Sequence, residues 1–219
     1  MRQYNNLTII GTSHIAKESI TKVKKEISEI KPDIVALELD PIRFNVLMYG
    51  KTSKNKLSDI KAIGIKGFIF NLIGAYVEKK LGEIVNVKPG SEMKAAIISA
   101  KLIKSDIALI DQDIRITLKN LSKSFTWKER FRFMAEILKG VFTKKKINID
   151  LTKVPDKKLI KKLTDKVKRD YPSLYNVLIA DRNKVMAENL YKLMQTNKSI
   201  IAVVGAGHED EIVELIKKM

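Results

Sequence analysis

Apolar residues fall along this chain in two patterns. Short, mainly apolar runs occur at Leu7–Ile10, Ile34–Leu37, Ile107–Ile110 and Ile200–Val204. Each is too brief for a helix and is bounded by turn-forming or polar residues, so each predicts a buried strand. Between them the spacing changes to three and four. Ile20, Val23, Ile27 and Ile30 predict an amphipathic helix over 16–30, stopped by Pro32. Pro41 opens a second helix that Arg43, Phe44, Leu47 and Met48 continue, and Ser91 reads as the N-cap of a third over 92–104. From about 114 to 195 the pattern is helical throughout, with helices expected near 115–121, 127–138, 156–169 and 173–194. Strand, helix and strand within roughly 35 residues make a parallel unit with a right-handed crossover. The expected architecture is one α/β domain spanning 1–219: a parallel-dominated central sheet flanked by helices, with a helical insertion before the last strand.

The first and last of these strands end alike. Gly11-Thr12-Ser13-His14 and Gly205-Ala206-Gly207-His208 are both Gly-x-x-His, and the chain has no other histidine. Loops at the carboxyl ends of parallel strands converge on one rim, where ligands bind. Acids recur there too: Glu38 and Asp40 after the second strand, Asp111 and Asp113 after the third, and Glu92 at a helix start. Two neutral imidazoles and a carboxylate form a minimal set for Zn, Mn, Co or Fe(II), with positions left for water and substrate, and a second carboxylate could take the proton. Each acid alone is better read as a helix cap, and the two histidines are equally well read as unrelated turn residues. Recurrence of the acids after two successive strands and at a helix start favours a site.

Composition narrows the choices. Without cysteine there are no disulfides or thiolate ligands, so a transition metal must be held by His, Asp or Glu. Forty-two Lys and Arg against 25 Asp and Glu leave a net charge of +17, a field that attracts polyanions or an anionic membrane surface. The excess is dispersed lysine without arginine forks or aromatic interleaving, so no specific nucleic-acid partner is expected. The polar start, Met1–Asn6, is no signal peptide, and no stretch reaches the roughly 18 apolar residues of a membrane span. A cytoplasmic protein is expected, membrane-associated only as part of a longer chain. The greasy stretch 60–77, with Gly64, Gly67 and Gly74, predicts a helical element that packs as core or self-associates as a homodimer, with a substrate or membrane lip as the alternative. Phosphate-loop, dinucleotide and nucleophile-elbow motifs are absent: in Gly205-Ala206-Gly207-His208-Glu209-Asp210 an acid stands where the third glycine belongs.

Residues Ile9–Ser19, Pro32–Asp40 with Arg43, Pro89–Met93, Asp113–Leu118, Asp181–Asn183 with Met186 and Ala187, and Val203–His208 resemble, in order, the TraB family across almost the whole chain. That family is related to the Tiki metalloproteases and more distantly to erythromycin esterase and the haem-binding ChaN proteins, and the Lys- and Ile-rich composition looks archaeal. By that resemblance His14 and His208 are the motif histidines, Glu38 the acid that joins them on a divalent ion (Mn, Co or Zn), and Arg182 and Asn183 the family's Arg-Asn pair. Glu92 would serve as reserve base and Arg182 as stabiliser of an oxyanion. The resemblance implies a metal-dependent peptidase acting on a peptide, since relatives cleave peptides or shut down a peptide pheromone. Its alternatives are a metal-free, esterase-like hydrolase with His14 as general base, and a peptide-sequestering or membrane-surface adaptor that turns nothing over.

Overall fold

A computed structural model describes residues 1–12, 17–50, 90–129, 131–133, 135 and 157–219. His14 and the apolar stretch 60–77 lie outside the described residues, and so do the meeting of the two histidines and the dimer element expected from them.

Five strands form one sheet: β1 (Arg2–Tyr4), β2 (Leu7–Thr12), β3 (Ile34–Leu37), β4 (Asp106–Leu109) and β5 (Ile200–Gly205), in the order β1-β2-β5-β3-β4. All pairings are parallel except the β1–β2 hairpin. The last strand of the chain is therefore the middle of the sheet, and β2 and β5 lie in register with Thr12 opposite Gly205. Buried on both faces, β2 and β5 read as near-continuous apolar runs.

Helices cover both faces. On one, α1 (Lys17–Ile30) and α3 (Ser91–Leu102) bury Val23, Ile27, Met93, Ala96 and Ile97 against Ile10, Val35, Leu37, Ile201 and Val203. On the other, α7 (Asp181–Met194) and α8 (Glu209–Ile216) bury Met186, Leu190, Ile212 and Val213 against Ile9, Ala36, Ala202 and Val204. Strands β2 and β3 send their chain to the first face, whereas β5 sends its chain to the second. Neighbouring strands that diverge in this way open a crevice at their carboxyl ends.

The helical block between β4 and β5 comprises α4 (Ile114–Ser124), helical residues within 127–135, α5 (Lys157–Asp170), a short α6 (Pro172–Tyr175), a π-helical stretch (Asn176–Ala180) and α7. The expected continuous helix 173–194 is thus a helix with a π-bulge in its first half.

Three further details depart from the sequence reading. Arg2–Tyr4 forms a strand despite its polarity, because it is an edge strand pairing β2 through the tight turn Asn5-Asn6. Asn5 there takes φ of 51°, and Asn6 Nδ2 donates to the Lys198 and Met194 carbonyls at 2.8 and 3.1 Å. Ser91 is not the N-cap of α3; Gly90 is, at φ of 78°, and Ser91 is the first helical residue. Strand β4 is only half-buried because it is the other sheet edge.

Candidate functional site

Glu38 follows the last residue of β3 and keeps the sheet going by one bond, its N–H donating to the Val203 carbonyl at 3.1 Å. Its side chain, 2% exposed, turns to the carboxyl end of β5. There Oε2 accepts the Gly205 N–H at 2.5 Å, so the carboxylate is clamped to the backbone where the second Gly-x-x-His loop begins.

The other oxygen, Oε1, accepts from Arg182 Nη2 in a short charge-assisted hydrogen bond. Arg182 also grips Asp111, with Nε on Oδ1 at 3.0 Å and Nη2 on Oδ2 at 2.8 Å, and its Nη1 donates to the Leu178 carbonyl at 3.2 Å. Asp111, just beyond β4, takes a second guanidinium from Arg43 at 2.9 Å and the Gln112 N–H at 2.8 Å. Asn189 of α7 donates to the Ile110 carbonyl at 2.9 Å, docking that helix against the end of β4 and bringing Arg182 within reach. Two carboxylates and two guanidiniums thus alternate in a neutral array, buried except for the half-buried Arg43. Burial opposes the charge on Arg182, but Glu38 and Asp111 together outweigh it, and its pKa is raised above the ordinary guanidinium value.

His208 stands at the N-terminal end of α8, 11% exposed in its side chain. Its Nδ1 lies 2.5 Å from Asn183 Oδ1, and its Nε2 faces Glu38 Oε1 at 3.6 Å. Asn183 is fully buried, and its Nδ2 donates to Glu211 Oε2 at 2.8 Å. The same oxygen accepts from Tyr175 Oη at 3.1 Å.

Of the residues expected at the site, Glu38, Arg182, Asn183 and His208 come together, and Asp111 completes the array. Glu92 is buried in the first turn of α3, a helix whose N-terminus points to the same rim because its C-terminus leads into β4. Asp40 caps α2 (Pro41–Tyr49), its Oδ1 accepting the Ile42 and Arg43 N–H groups at 2.8 and 3.2 Å, and so serves the site by setting Arg43. Asp113 caps α4 and pairs with Arg115, which lowers its pKa mainly through the side-chain hydrogen bond. Those two acids are caps, as the alternative reading allowed.

The two Gly-x-x-His loops start side by side. Ala206 N–H donates to the Thr12 carbonyl at 2.8 Å, and Thr12 Oγ1 donates to the Val204 carbonyl at 3.1 Å. Gly11 is needed for this approach: a Cβ there would sit 2.5 Å from the buried Glu209 Oε2 and 3.2 Å from Ala206 Cα. A cleft of about 590 Å³ opens beside these loops, lined among others by Gly11, Ala206, Glu209 and Glu211 and by Lys22, Lys158, Lys161 and Asp165.

A family model described as TraB/PrgY/gumN matches residues 2–219. The chain belongs to the TraB/PrgY/gumN family. It is 38% identical to an uncharacterized protein of Methanocaldococcus jannaschii over 98% of this chain and 54% of that one. It is 22% identical to the human TraB domain-containing protein, and likewise to the mouse one, over 91% of this chain and 60% of each. The chain therefore spans a little over half the length of these TraB-family relatives. No helix among the described residues is long and apolar enough to cross a membrane.

Glu211 and Tyr175 escaped the sequence reading. Glu211 carries a weak signal, one helical turn beyond His208. Tyr175 carries none, because its place depends on the π-helical stretch.

Proposed function

We propose that this TraB-family domain is a hydrolase that acts on a peptide, with Glu38 and His208 at its reactive centre and a divalent ion as its partner in catalysis. The observation that carries the reading is the approach of Glu38 Oε1 to His208 Nε2 at 3.6 Å. Glu38 is an anion, and when the His208 ring is neutral with its proton on Nδ1 its Nε2 also accepts, so the two are then stable face to face only with positive charge between or beside them.

The donor set fits such an ion. An imidazole nitrogen and a carboxylate oxygen bound to one tetrahedral ion stand about 3.4 Å apart, near the observed separation. Glu38 and His208 are two ligands short of a closed shell, and among the described residues no group of three or more His, Asp or Glu gathers to complete a set. His14, outside the described residues, would be the third ligand. Mn, Co or Zn would suit this nitrogen and oxygen set, and when bound would polarise a carbonyl and acidify its water.

The protein's own residues divide the remaining work. Gly205 N–H and Arg182 hold both oxygens of Glu38 and fix its plane. Asn183 holds the His208 ring. Four of the five N–H groups of Arg182 already donate, to Glu38, Asp111 and Leu178, so its role is to orient Glu38 and not to catch an oxyanion. Glu92 remains the reserve base. The cleft beside the Gly-x-x-His loops is lined by acids and lysines together, Asp165, Glu209 and Glu211 with Lys22, Lys158 and Lys161, which suits a chain with charges of both signs; it adjoins His208 through Gly207 and Glu209, and neither His208 nor Glu38 lines it.

One observation favours a metal-free reading: Arg182 already neutralises the oxygen that an ion would use. In that case His208 Nε2 is the general base. Metal analysis of the purified chain, followed by peptide-library cleavage with and without chelator, tests both. Cleavage that chelator abolishes and Mn, Co or Zn restores is the expected result. Activity indifferent to chelator supports the metal-free hydrolase, and tight peptide binding without cleavage in either state overturns the enzyme and supports a sequestering domain.

A further inference from the structure

We infer that Glu211, steadied by Tyr175, is a positioning residue that holds His208 in the Nδ1–H tautomer by fixing which way the Asn183 amide points. The chain of contacts runs Tyr175 Oη to Glu211 Oε2 at 3.1 Å, Asn183 Nδ2 to that same oxygen at 2.8 Å, and Asn183 Oδ1 to His208 Nδ1 at 2.5 Å.

The direction of every proton follows from one end. A carboxylate only accepts, so the atom of Asn183 that meets Glu211 must be the NH2 group. The reversed amide would set its oxygen against Glu211 at 2.8 Å, two acceptors in a buried place. Once the amide is fixed, its oxygen faces His208, and Nδ1 must donate to it. Nδ1 is therefore protonated, and in the neutral ring Nε2 presents a lone pair toward Glu38. This is the tautomer needed by a ligand to an ion and by a base alike, so a group two residues removed from the reacting atoms decides whether His208 can act.

The fold builds this chain at some cost. Eight residues separate Tyr175 from Asn183, which an unbroken α-helix would set about 80° apart. The π-helical stretch Asn176–Ala180 between them inserts about one residue, a turn of about 100° that restores both to one face. Helices with π-bulges are rare, and they gather at functional sites. Glu211 reaches the pair from α8, whose first residue follows His208.

The inference deepens the reading of His208 as a site residue, and it is tested without substrate. With two histidines in the chain, long-range proton–nitrogen spectra of the uniformly nitrogen-15-labelled protein resolve both rings, and a His14→Gln variant assigns His208. In the wild-type chain, with and without chelator, His208 should show a protonated Nδ1 and a bare or ligated Nε2. Glu211→Gln, which lets the Asn183 amide point either way, should lower the ratio of Nδ1–H to Nε2–H by about fivefold or more, the worth of one hydrogen bond. Tyr175→Phe should lower it less, since the carboxylate remains. A wild-type His208 protonated at Nε2, or a Glu211→Gln protein with an unchanged ratio, overturns the inference even if the chain cleaves peptides. The predicted tautomer in a protein without hydrolytic activity would uphold it while the proposed function fails.

Discussion

Removing Arg182 should unfold the site from within, and its cost can be worked from the contacts. Arg182→Met keeps the length and most of the apolar stem but withdraws a guanidinium that is 15% exposed. Asp111 survives the change well, because Arg43 at 2.9 Å and the Gln112 N–H at 2.8 Å remain. Glu38, 2% exposed, keeps the Gly205 N–H but loses the cation on Oε1. Breaking a buried pair from one side costs about 3–5 kcal/mol, mostly the penalty of the charge left behind. If Glu38 is that charge, Glu38→Gln in the Arg182→Met background should be neutral or stabilising, although in the wild-type chain it is destabilising. The coupling energy between the two positions should then be about 2–3 kcal/mol. Guanidinium unfolding of the four proteins, followed by circular dichroism, gives the cycle, with the midpoint moving while the slope stays fixed. A cost below about 1 kcal/mol for Arg182→Met, or the same cost for Glu38→Gln in both backgrounds, would refute the view that this pair is what keeps a carboxylate charged inside the rim.

Two other perturbations follow from particular contacts, and a third from composition. Gly11→Ala pushes a Cβ to 2.5 Å from Glu209 Oε2 and should cost about 1–3 kcal/mol in a melt, whereas Gly207→Ala, which meets open space, should stay within about 0.5 kcal/mol; equal effects would sink the close-approach argument. Glu129 is buried, which alone would raise its pKa, yet its bonds from Thr126 and Ser173 prevail and lower it. Its stabilising contribution is therefore complete above the unfolded carboxylate pKa of about 4.3 and is lost as pH falls from there toward the lowered folded value, so Glu129→Gln should flatten the acid limb of a stability profile and leave the alkaline limb unchanged. The apolar composition of 60–77 with a net charge of +17 predicts a homodimer that tightens as salt screens the repulsion; light scattering that reports a monomer at every ionic strength removes it.

Much of this fold and part of its site were legible because two signals reinforce each other. An unbroken apolar run such as Ile200–Val204 announces a strand buried on both faces, and a glycine after it announces the turn that opens the rim. Glu38 and His208 follow such runs directly, which is why they could be placed. The acids were harder to sort. Asp40, Asp111 and Asp113 all come just after a strand, and nothing local separates them. What separates them is tertiary: Asp40 and Asp113 find their partners within their own helix starts, while Asp111 finds Arg43 and Arg182 from two other elements. Arg2–Tyr4 shows the same limit at an edge, where a polar strand needs only a neighbour to pair with.

The π-helical stretch is the case in which sequence patterns fail for a physical reason. Residues 173–194 carry a helical spacing good enough to predict one helix, because inserting a residue shifts the pattern by no more than the tolerance of an amphipathic face. Yet that shift of about 100° decides which side chains meet. Without it, Tyr175 would point away from Glu211 while Asn183 pointed toward it. The extra residue lies immediately before Asp181-Arg182-Asn183, the segment that holds both Glu38 and His208. A π-bulge weakens the helix that carries it, so its position there argues that alignment of Tyr175, Arg182 and Asn183 on the rim outweighs regular helix geometry. Deleting one residue from Asn176–Ala180 would restore an α-helix and turn Tyr175 off Glu211, and the helix would become more regular as the site lost its outermost contact.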